Sequence, residues 1–270
     1  MNTESIYQKI IEIQSKGESA AICTITKASG STPRHVGSKM LVYADGSFTG
    51  SVGGGELEHR VLDEAWVALT DGQPRLLSYS MIDPARGDPG VCGGQVEVFV
   101  EPILPPEKIV IIGGGHVGKA VAHLAKWLGF YVVISDDREE FCTPEMNPDA
   151  DEFQPVLMEK LPEHLAINRQ TYIIITSRGA MVDIPGLPAL LKTKARYIGV
   201  IGSKRRWMTT VKGMKELGIS DEAIARIHSP IGLEIHAETP EEIAVSIMAE
   251  VLMLRNGGNG QQMKAAAGGK

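Results

Sequence analysis

The sequence predicts an α/β protein made of two domains, and three observations support this prediction. In the second half of the chain, runs of apolar, β-branched residues alternate with helix-like segments, which is typical of a parallel sheet covered on both faces. The first of these runs leads directly into a Gly-x-Gly-x-x-Gly turn. In the first half, one strand instead alternates apolar and polar residues, as a half-buried antiparallel strand does. We therefore expect a carboxyl-terminal Rossmann-like domain with a doubly wound parallel sheet, preceded by a smaller amino-terminal α+β domain.

A proline cluster marks the expected boundary between the two domains. Prolines occupy three of the six positions 101–106, and proline interrupts both helices and sheets. The last residues of the chain contain few apolar side chains, which favours disorder. The expected organisation is a glycine-rich α+β domain at 1–101, a linker at 102–107, a Rossmann-like domain at 108–255 and a disordered tail at 256–270.

The periodicity of the first half predicts two helices and five strands. Ile6, Ile10 and Ile13 fall on one face of the first helix. An Asp-Gly pair at 45–46 is a turn signal between two strands. After the first helix, the expected elements are strands at Ala20–Thr26, Lys39–Tyr43 and Ser47–Val52, a helix at Glu56–Leu69, and strands at Arg75–Ser80 and Gln95–Glu101.

The second half predicts buried strands separated by helices. A helix is expected over His116–Leu128, and a last helix begins near Thr239. Thr239 is a suitable N-cap, Pro240 suits the first helical position, and Glu242 completes a capping box. The strands are expected at Lys108–Ile112, Tyr131–Ile134, Tyr172–Thr176 and Tyr197–Ile201.

Composition excludes several classes of protein. Hydrophobic residues make up 43% of the 270 residues, enough for a packed core and too many for a disordered chain. The net charge of −6 disfavours non-specific binding of nucleic acid. No run reaches the ~18 apolar residues that span a bilayer, and the first residues lack a signal-peptide core. With three cysteines, we expect a cytoplasmic protein with free thiols and with neither nucleic-acid nor membrane partners.

The Gly-x-Gly-x-x-Gly turn predicts a site for a nucleotide or another phosphate-bearing ligand. Gly113 permits the tight turn, Gly115 lets the backbone approach a pyrophosphate, and Gly118 lets the helix pack on the strand. The start of the helix offers N–H groups to the phosphate. Asp136 follows the next strand, 23 residues after Gly113, where an acidic residue would accept hydrogen bonds from a ribose. NAD(P) is one candidate ligand; alternatively, the glycines only permit close packing in a fold that binds no dinucleotide.

Three glycine-rich segments of the first half predict a second site. They are Ala28–Gly37 (glycine loop 1), Gly50–Glu58 (glycine loop 2) and Gly87–Gly94 (glycine loop 3), and they contain ten glycines. Each ordered glycine costs about 0.5–1 kcal/mol relative to alanine. Such a concentration favours backbone cradles for an anionic, heteroatom-rich ligand. Tight turns in a small β-rich domain explain the glycines equally well.

Cys92, with Gly93 and Gly94, is the cysteine that we expect to function. It lies in a loop before a strand, where a thiol can be exposed and where nearby N–H groups can favour the thiolate. A thiolate binds soft metals or carries sulfur, so Cys92 is the only candidate metal ligand. Cys23 lies in an apolar strand and is expected in the core, while Cys142 has no evident partner. The seven histidines show no zinc-type spacing.

A basic turn after the last predicted strand is a secondary phosphate candidate. Ser203, Lys204 and Arg205 open a helix, and basic residues there are mismatched with the helix dipole unless an anion is bound. A solvated basic turn is the alternative interpretation.

Together these segments resemble the XdhC/CoxI family, accessory proteins of xanthine dehydrogenase and related molybdenum hydroxylases. The resemblance covers nearly the whole chain apart from the tail. The segments that carry it are GSTPRHVGSKMLV (30–42), GSVGGGELE (50–58), VCGGQVEVFVEP (91–102), IIGGGHVG (111–118), IGSKRRW (201–207) and HSPIGLEIHAETPEEIAVSI (228–247).

The resemblance implies a chaperone of the molybdenum cofactor, molybdopterin. Such a protein binds the cofactor, supports its sulfuration by a cysteine desulfurase, and helps to insert it into a xanthine dehydrogenase-type molybdoenzyme of purine catabolism. Cys92 lies in the family's Cys-Gly-Gly element, and the Gly113 turn lies in its Rossmann loop. Whether the protein forms a homodimer stays open.

Two other functions stay open. The Gly113 turn and Asp136 suggest an NAD(P)-dependent oxidoreductase, or an NAD-sensing regulatory module that turns nothing over. The glycine-rich domain lacks a recognisable acid–base pair, which argues against the oxidoreductase. We therefore assign no catalytic residue and expect a non-catalytic cofactor chaperone.

Overall fold

The computed structural model describes residues 3–82, 88–90 and 92–263 of the chain. They form two compact units, Met1–Pro105 (the amino-terminal unit) and Pro106–Lys270 (the carboxyl-terminal unit). Among the described residues, no helix combines the length and the apolar character needed to cross a bilayer.

The amino-terminal unit is a five-stranded antiparallel sheet with two helices. Its elements are α1 (Thr3–Ser15), β1 (Ala20–Ser29), β2 (Lys39–Tyr43), β3 (Phe48–Gly50), α2 (Gly55–Asp71), β4 (Arg75–Ser80) and β5 (Gln95–Ile103). The strand order is β3-β2-β1-β5-β4. Because side chains alternate across a strand, the sheet has two separate apolar cores. Ile25 and Val98 pack with Val61 of α2 on one face, and Ile22 packs with Ile13 of α1 on the other.

Two strands of this unit are longer than the sequence predicts, and one is shorter. β1 continues to Ser29 and β5 to Ile103, because the two strands pair along their whole length. Pro102 is accommodated because β4 reaches only to a position opposite Val100, so β5 has a free edge beyond it. The segment predicted as a linker therefore begins as a strand. β3 is only three residues long, since the chain leaves the sheet for glycine loop 2.

The carboxyl-terminal unit is a six-stranded parallel sheet. Its elements are β6 (Lys108–Ile112), α3 (His116–Trp127), β7 (Tyr131–Ser135), β8 (Glu152–Gln154), α4 (Leu161–His164), β9 (Thr171–Ile175), α5 (Ala180–Leu191), β10 (Tyr197–Val200), α6 (Lys204–Glu216), α7 (Asp221–Ile224), β11 (Ile227–His228) and α8 (Pro240–Asn256). The strand order, β11-β10-β9-β6-β7-β8, is that of the Rossmann fold, with the switch point between β6 and β9. The predicted fold class is confirmed.

Helices cover both faces of this sheet, as the continuous apolar strands predict. Ile109 and Ile111 of β6 belong to the core shared with α3 and α8, whereas Val110 and Ile112 belong to the core shared with α5 and α6. All four side chains are buried. The sheet therefore leaves its strand ends, rather than its faces, as the place where a ligand can approach.

The last helix begins as predicted. The Thr239 hydroxyl accepts a hydrogen bond from the Glu242 amide at 3.2 Å, and the Glu242 carboxylate accepts one from the Thr239 amide at 3.1 Å. This capping box is confirmed. α8 ends at Asn256, one residue into the predicted tail, and residues 264–270 lie outside the described part of the chain, so the disorder of the tail stays a prediction.

Candidate functional site

The Gly-x-Gly-x-x-Gly turn joins β6 to α3 at the carboxyl end of the parallel sheet. The Gly113 amide donates a hydrogen bond to the Ser135 carbonyl at 2.8 Å, and the Gly113 carbonyl accepts one from the Thr176 hydroxyl at 2.7 Å. Gly113 has a φ of +117°, and a Cβ atom there would lie 2.7 Å from the carbonyl oxygen of Thr176. The turn is thus fixed between β7 and β9, and only glycine fits its first position.

The other two glycines of the turn have opposite surroundings. A Cβ atom on Gly118 would lie 2.0 Å from the Gly113 carbonyl oxygen, so α3 packs directly on the turn. A Cβ atom on Gly115 would meet no atom within 4 Å. Gly115 is the N-cap of α3, and no described side chain caps this helix. The first amide groups of α3 therefore stay available to a phosphate.

Asp136 has a role inside the protein that the sequence pattern does not predict. Its side chain is 2% exposed, and its two oxygens accept hydrogen bonds from the Arg138 guanidinium at 2.9 Å each. The carboxylate also accepts hydrogen bonds from the Gly114 amide at 2.9 Å and the Arg138 amide at 3.1 Å. Burial raises the pKa of Asp136, but these hydrogen bonds more than offset it and bring the pKa below its usual range. The carboxylate predicted to bind a ribose thus also holds the glycine turn, and ribose binding stays a prediction.

A cavity of about 140 Å³ lies next to this turn, at the carboxyl ends of β6, β7 and β9. Its polar rim includes Asp137 and Arg178, whose carboxylate and guanidinium pair at 2.6 Å. Met181 and Pro185 of α5 supply apolar walls. In open α/β sheets, ligands bind in this place, where the strand order switches.

Ser203, Lys204 and Arg205 lie at the start of α6, after β10, and β9 separates them from the strand of the glycine turn. The Ser203 hydroxyl accepts a hydrogen bond from the Arg206 amide at 3.3 Å, so Ser203 is an N-cap. Lys204 and Arg205 are exposed, and among the described residues their side chains form no ion pair. Both cations are therefore free to meet an anion, and phosphate binding here stays a prediction.

Arg206, which no sequence motif distinguishes, is the residue of this turn whose side chain contacts neighbouring elements. Its guanidinium contacts the Asp183 carboxylate at 2.8 Å and the Ser177 hydroxyl at 2.8 Å. Asp183 is fully buried in α5, and Ser177 lies two residues beyond β9. This network ties α5 and α6 to the carboxyl end of β9. The sequence does not distinguish Arg206 from Arg205. Their positions on α6 direct Arg206 towards Asp183 of α5 and leave Arg205 exposed.

In the amino-terminal unit, the glycine loops converge at one end of the sheet. Loop 1 follows β1, loop 2 follows β3, and loop 3 leads into β5. A Cβ atom on Gly94 would lie 2.2 Å from the Ser31 carbonyl oxygen, so loops 1 and 3 are in backbone contact. A Cβ atom on Gly53 would lie 3.0 Å from the Pro33 ring, so loops 1 and 2 also touch. Two positions of loop 3, 87 and 91, lie outside the described residues.

Cys92 lies at this convergence and is exposed. Directly after it, the Gly93 amide donates to the Met81 carbonyl at 2.7 Å, and the Gly94 carbonyl accepts from the Met81 amide at 2.9 Å. The backbone next to the thiol is thus anchored. The described residues contain no cluster of three or more histidine, cysteine or carboxylate side chains that could hold a metal ion.

The other two cysteines are buried. Burial raises the pKa of Cys23 to about 12, which agrees with its predicted place in the core. Burial also raises the pKa of Cys142, whose thiol contacts the Ile134 carbonyl at 3.3 Å. Neither side chain is available as a thiolate at neutral pH.

Two known families of protein domains match the chain. The XdhC and CoxI family matches residues 13–80, and the XdhC Rossmann domain matches residues 109–251, which is more than half of the chain. The chain belongs to the XdhC and CoxI family. The resemblance carried by the sequence motifs is thereby confirmed, and so is the assignment of the parallel sheet to a Rossmann domain.

The XdhC/CoxI chain is similar to three proteins from Escherichia coli and Bacillus subtilis. It is 33% identical over 266 residues to the uncharacterized protein YqeB of Escherichia coli, covering 96% of this chain and 48% of YqeB. It is 28% identical over 158 residues to a probable xanthine dehydrogenase subunit of Bacillus subtilis, covering 58% and 46%. It is 23% identical over 281 residues to the molybdenum cofactor insertion chaperone PaoD of Escherichia coli, covering 93% and 88%. The chain thus spans about half the length of the first two relatives.

A solved structure also matches the XdhC/CoxI chain. A crystal structure described as a xanthine dehydrogenase from Bacillus halodurans matches with a TM-score of 0.51 and 22% identity, covering 96% of this chain and 97% of that one. At this level of identity, the match shows the fold alone.

Proposed function

We propose that this protein binds the molybdenum cofactor (molybdopterin), supports its sulfuration, and helps to insert it into a xanthine dehydrogenase-type molybdenum hydroxylase. Membership of the XdhC and CoxI family and similarity to PaoD, a molybdenum cofactor insertion chaperone, support an accessory role related to this cofactor. Similarity to a probable xanthine dehydrogenase subunit supports the choice of client enzyme.

The observation that carries the proposal is the exposed Cys92 thiol at the convergence of the three glycine loops. Thiolates are suitable ligands for soft metal centres. Glycine-rich loops let a large ligand approach the backbone, whose N–H groups can meet its anionic groups. Both properties suit a cofactor that carries a metal at one end and a phosphate elsewhere.

The residues present fit this cofactor as cargo. Bound molybdopterin would supply the molybdenum centre that is sulfurated and then delivered. Cys92 would hold the metal end at the protein surface, and the close contact of Gly94 with Ser31 would keep loops 1 and 3 in place beside it. Attachment through one exposed thiolate suits a carrier, because a single surface ligand can be exchanged for the ligands of the client enzyme.

Analysis of the purified protein for bound molybdenum and pterin tests this function. We expect the wild-type chain from molybdate-fed cells to carry both, and Cys92→Ala to lose molybdenum. Cys142→Ala is the matched control, because the Cys142 thiol is buried and bonded to a backbone carbonyl. Bound NAD(H) without pterin, or equal retention in both variants, would contradict the role of the Cys92 site.

Two partners follow from this function. We infer that a cysteine desulfurase and the client hydroxylase bind the loaded protein in turn in the cytoplasm, where thiols stay reduced. Co-purification with each partner, with and without molybdate, would test the sequence of events. Light scattering of the purified chain distinguishes a monomer from a homodimer.

A second function, nucleotide binding by the carboxyl-terminal unit, is favoured by the free space around Gly115 and by the cavity at the strand switch point. It would make the protein an NAD-sensing module or an NAD(P)-dependent oxidoreductase. Titration calorimetry with NAD(H) and NADP(H), followed by an absorbance assay for hydride transfer, separates these cases. Binding without turnover supports the sensing module, and absence of binding contradicts both.

A further inference from the structure

Within the described part of the amino-terminal unit, α1 covers one end of one face of the antiparallel sheet. α1 packs there against Ala20, Ile22 and Leu41. The other end of this face, next to the glycine loops, contains a cavity of about 360 Å³. This volume lies within the range of small-molecule sites.

Six polar side chains from three strands line this cavity in two rows, which we call the polar sheet patch. The first row is Ser29, Gln95 and Ser80, and the second row is Lys27, Glu97 and Ser78. Residues within each row are direct cross-strand partners on β1, β5 and β4. With strands about 4.8 Å apart and a rise of about 3.4 Å per residue, the patch measures roughly 10 by 7 Å. It has the dimensions of a fused heterocycle.

Most of the polar side chains of the patch form no hydrogen bond with the described residues. Among the described residues, the side chains of both serines on β4, of Ser29 and of Gln95 form no hydrogen bond. Lys27 and Glu97 contact each other at 3.4 Å. Beyond the second row, Phe99 and the 63% exposed Leu76 are cross-strand partners and give the patch an apolar border. The patch thus offers free polar groups along the wall of the cavity, with one apolar edge.

The charges and geometry of the patch select a class of ligand. Lys27 and Glu97 compensate each other, so the patch does not favour a phosphate. A flat, uncharged heterocycle with several N–H and C=O groups would use the hydroxyls, the amide and the carboxylate together. A 2-amino-4-oxopyrimidine ring presents two adjacent N–H groups, which one carboxylate can accept in the manner of a bidentate pair.

We propose that the polar sheet patch binds the pterin rings of the cofactor, with the Glu97 carboxylate accepting hydrogen bonds from the amino-pyrimidinone edge. This inference rests on the proposed function and adds the part of the site that recognises the organic ligand. The row that contains Gln95 follows Gly94 directly and adjoins glycine loop 1. A pterin on the patch therefore has its metal end on the side of Cys92.

The rate of pterin release during dialysis tests this inference on the full chain purified from molybdate-fed cells. Glu97→Gln keeps the shape of the side chain and removes the charged acceptor. We expect release about tenfold faster, the effect of losing one charge-assisted hydrogen bond. Glu101→Gln is the matched control, because Glu101 lies on the same strand and face, two rows beyond Glu97 and outside the cavity.

A second variant separates binding from folding. The double exchange Lys27→Glu with Glu97→Lys keeps an ion pair between β1 and β5 but moves the carboxylate. We expect an unchanged melting temperature and the same faster release as in Glu97→Gln. Equal release rates in wild type and all variants would overturn the pterin site and leave the proposed function intact. A wild-type chain that contains neither molybdenum nor pterin would overturn the proposed function itself.

Discussion

The two units hold their candidate sites in place by different means. In the carboxyl-terminal unit, buried charged side chains fix the strand ends: Asp136 holds the glycine turn through the Gly114 amide, and Asp183 pairs with Arg206. In the described part of the amino-terminal unit, every buried side chain is apolar, and the loops are fixed by close backbone contacts at glycines such as Gly94.

This difference predicts different sensitivities. A buried ion pair requires both partners and the correct protonation state. Removal of one partner therefore leaves an unpaired charge in a poorly solvated place. A glycine contact requires only shape, so it is broken by a single added methyl group. The stability of the carboxyl-terminal unit should therefore depend on charge and pH, and that of the amino-terminal unit on side-chain volume.

The largest expected effect is that of Arg206→Ala. It leaves the fully buried Asp183 carboxylate without its guanidinium partner, which should lower the free energy of unfolding by about 3–5 kcal/mol. Arg205→Ala is the matched control, because Arg205 is exposed, and a change within about 0.5 kcal/mol is expected there. Denaturant unfolding measures both. Similar losses in the two variants would show that the ion pair does not stabilise this unit.

A smaller effect is expected from Gly94→Ala. The new Cβ atom would lie 2.2 Å from the Ser31 carbonyl oxygen, so loops 1 and 3 must separate, at about 1–3 kcal/mol. Retention of molybdenum should fall with it. In Gly90→Ala, the control from the same loop, the new atom would meet Met81 at an ordinary 3.6 Å. If the two variants unfold at the same denaturant concentration, backbone packing does not hold these loops.

The smallest expected effect is a weaker pH dependence of stability in Asp136→Asn. The pKa of Asp136 is lowered in the folded protein, so its contribution to stability is present above its ordinary value of 3.8 and is lost as the pH falls below that value. Asp136→Asn should therefore flatten the decline of the melting temperature as the pH falls below 3.8. An unchanged slope in Asp136→Asn would assign the acid sensitivity to other carboxylates.

Local signals in the sequence predicted most of the secondary structure. The β6 strand and the α8 capping box occur as expected, because apolar periodicity and capping involve residues only a few positions apart. α5 shows the limit of such signals. It contains Pro185 and Pro188, which disfavour helices, yet Leu187 is fully buried against the sheet, so tertiary packing overrides the local preference.

The sequence by itself determined the fold class, the glycine turn of the Rossmann domain and the family to which the chain belongs. Only the tertiary structure decided that Asp136 forms an ion pair with Arg138, and that the three glycine loops meet near Cys92. It also decided that Lys27, Glu97 and Ser78 form one row of the sheet. The physical reason is distance along the chain. Periodicity and turn chemistry act over a few residues, whereas β1 and β5 pair across about seventy, and which side chains become neighbours depends on the register of that pairing.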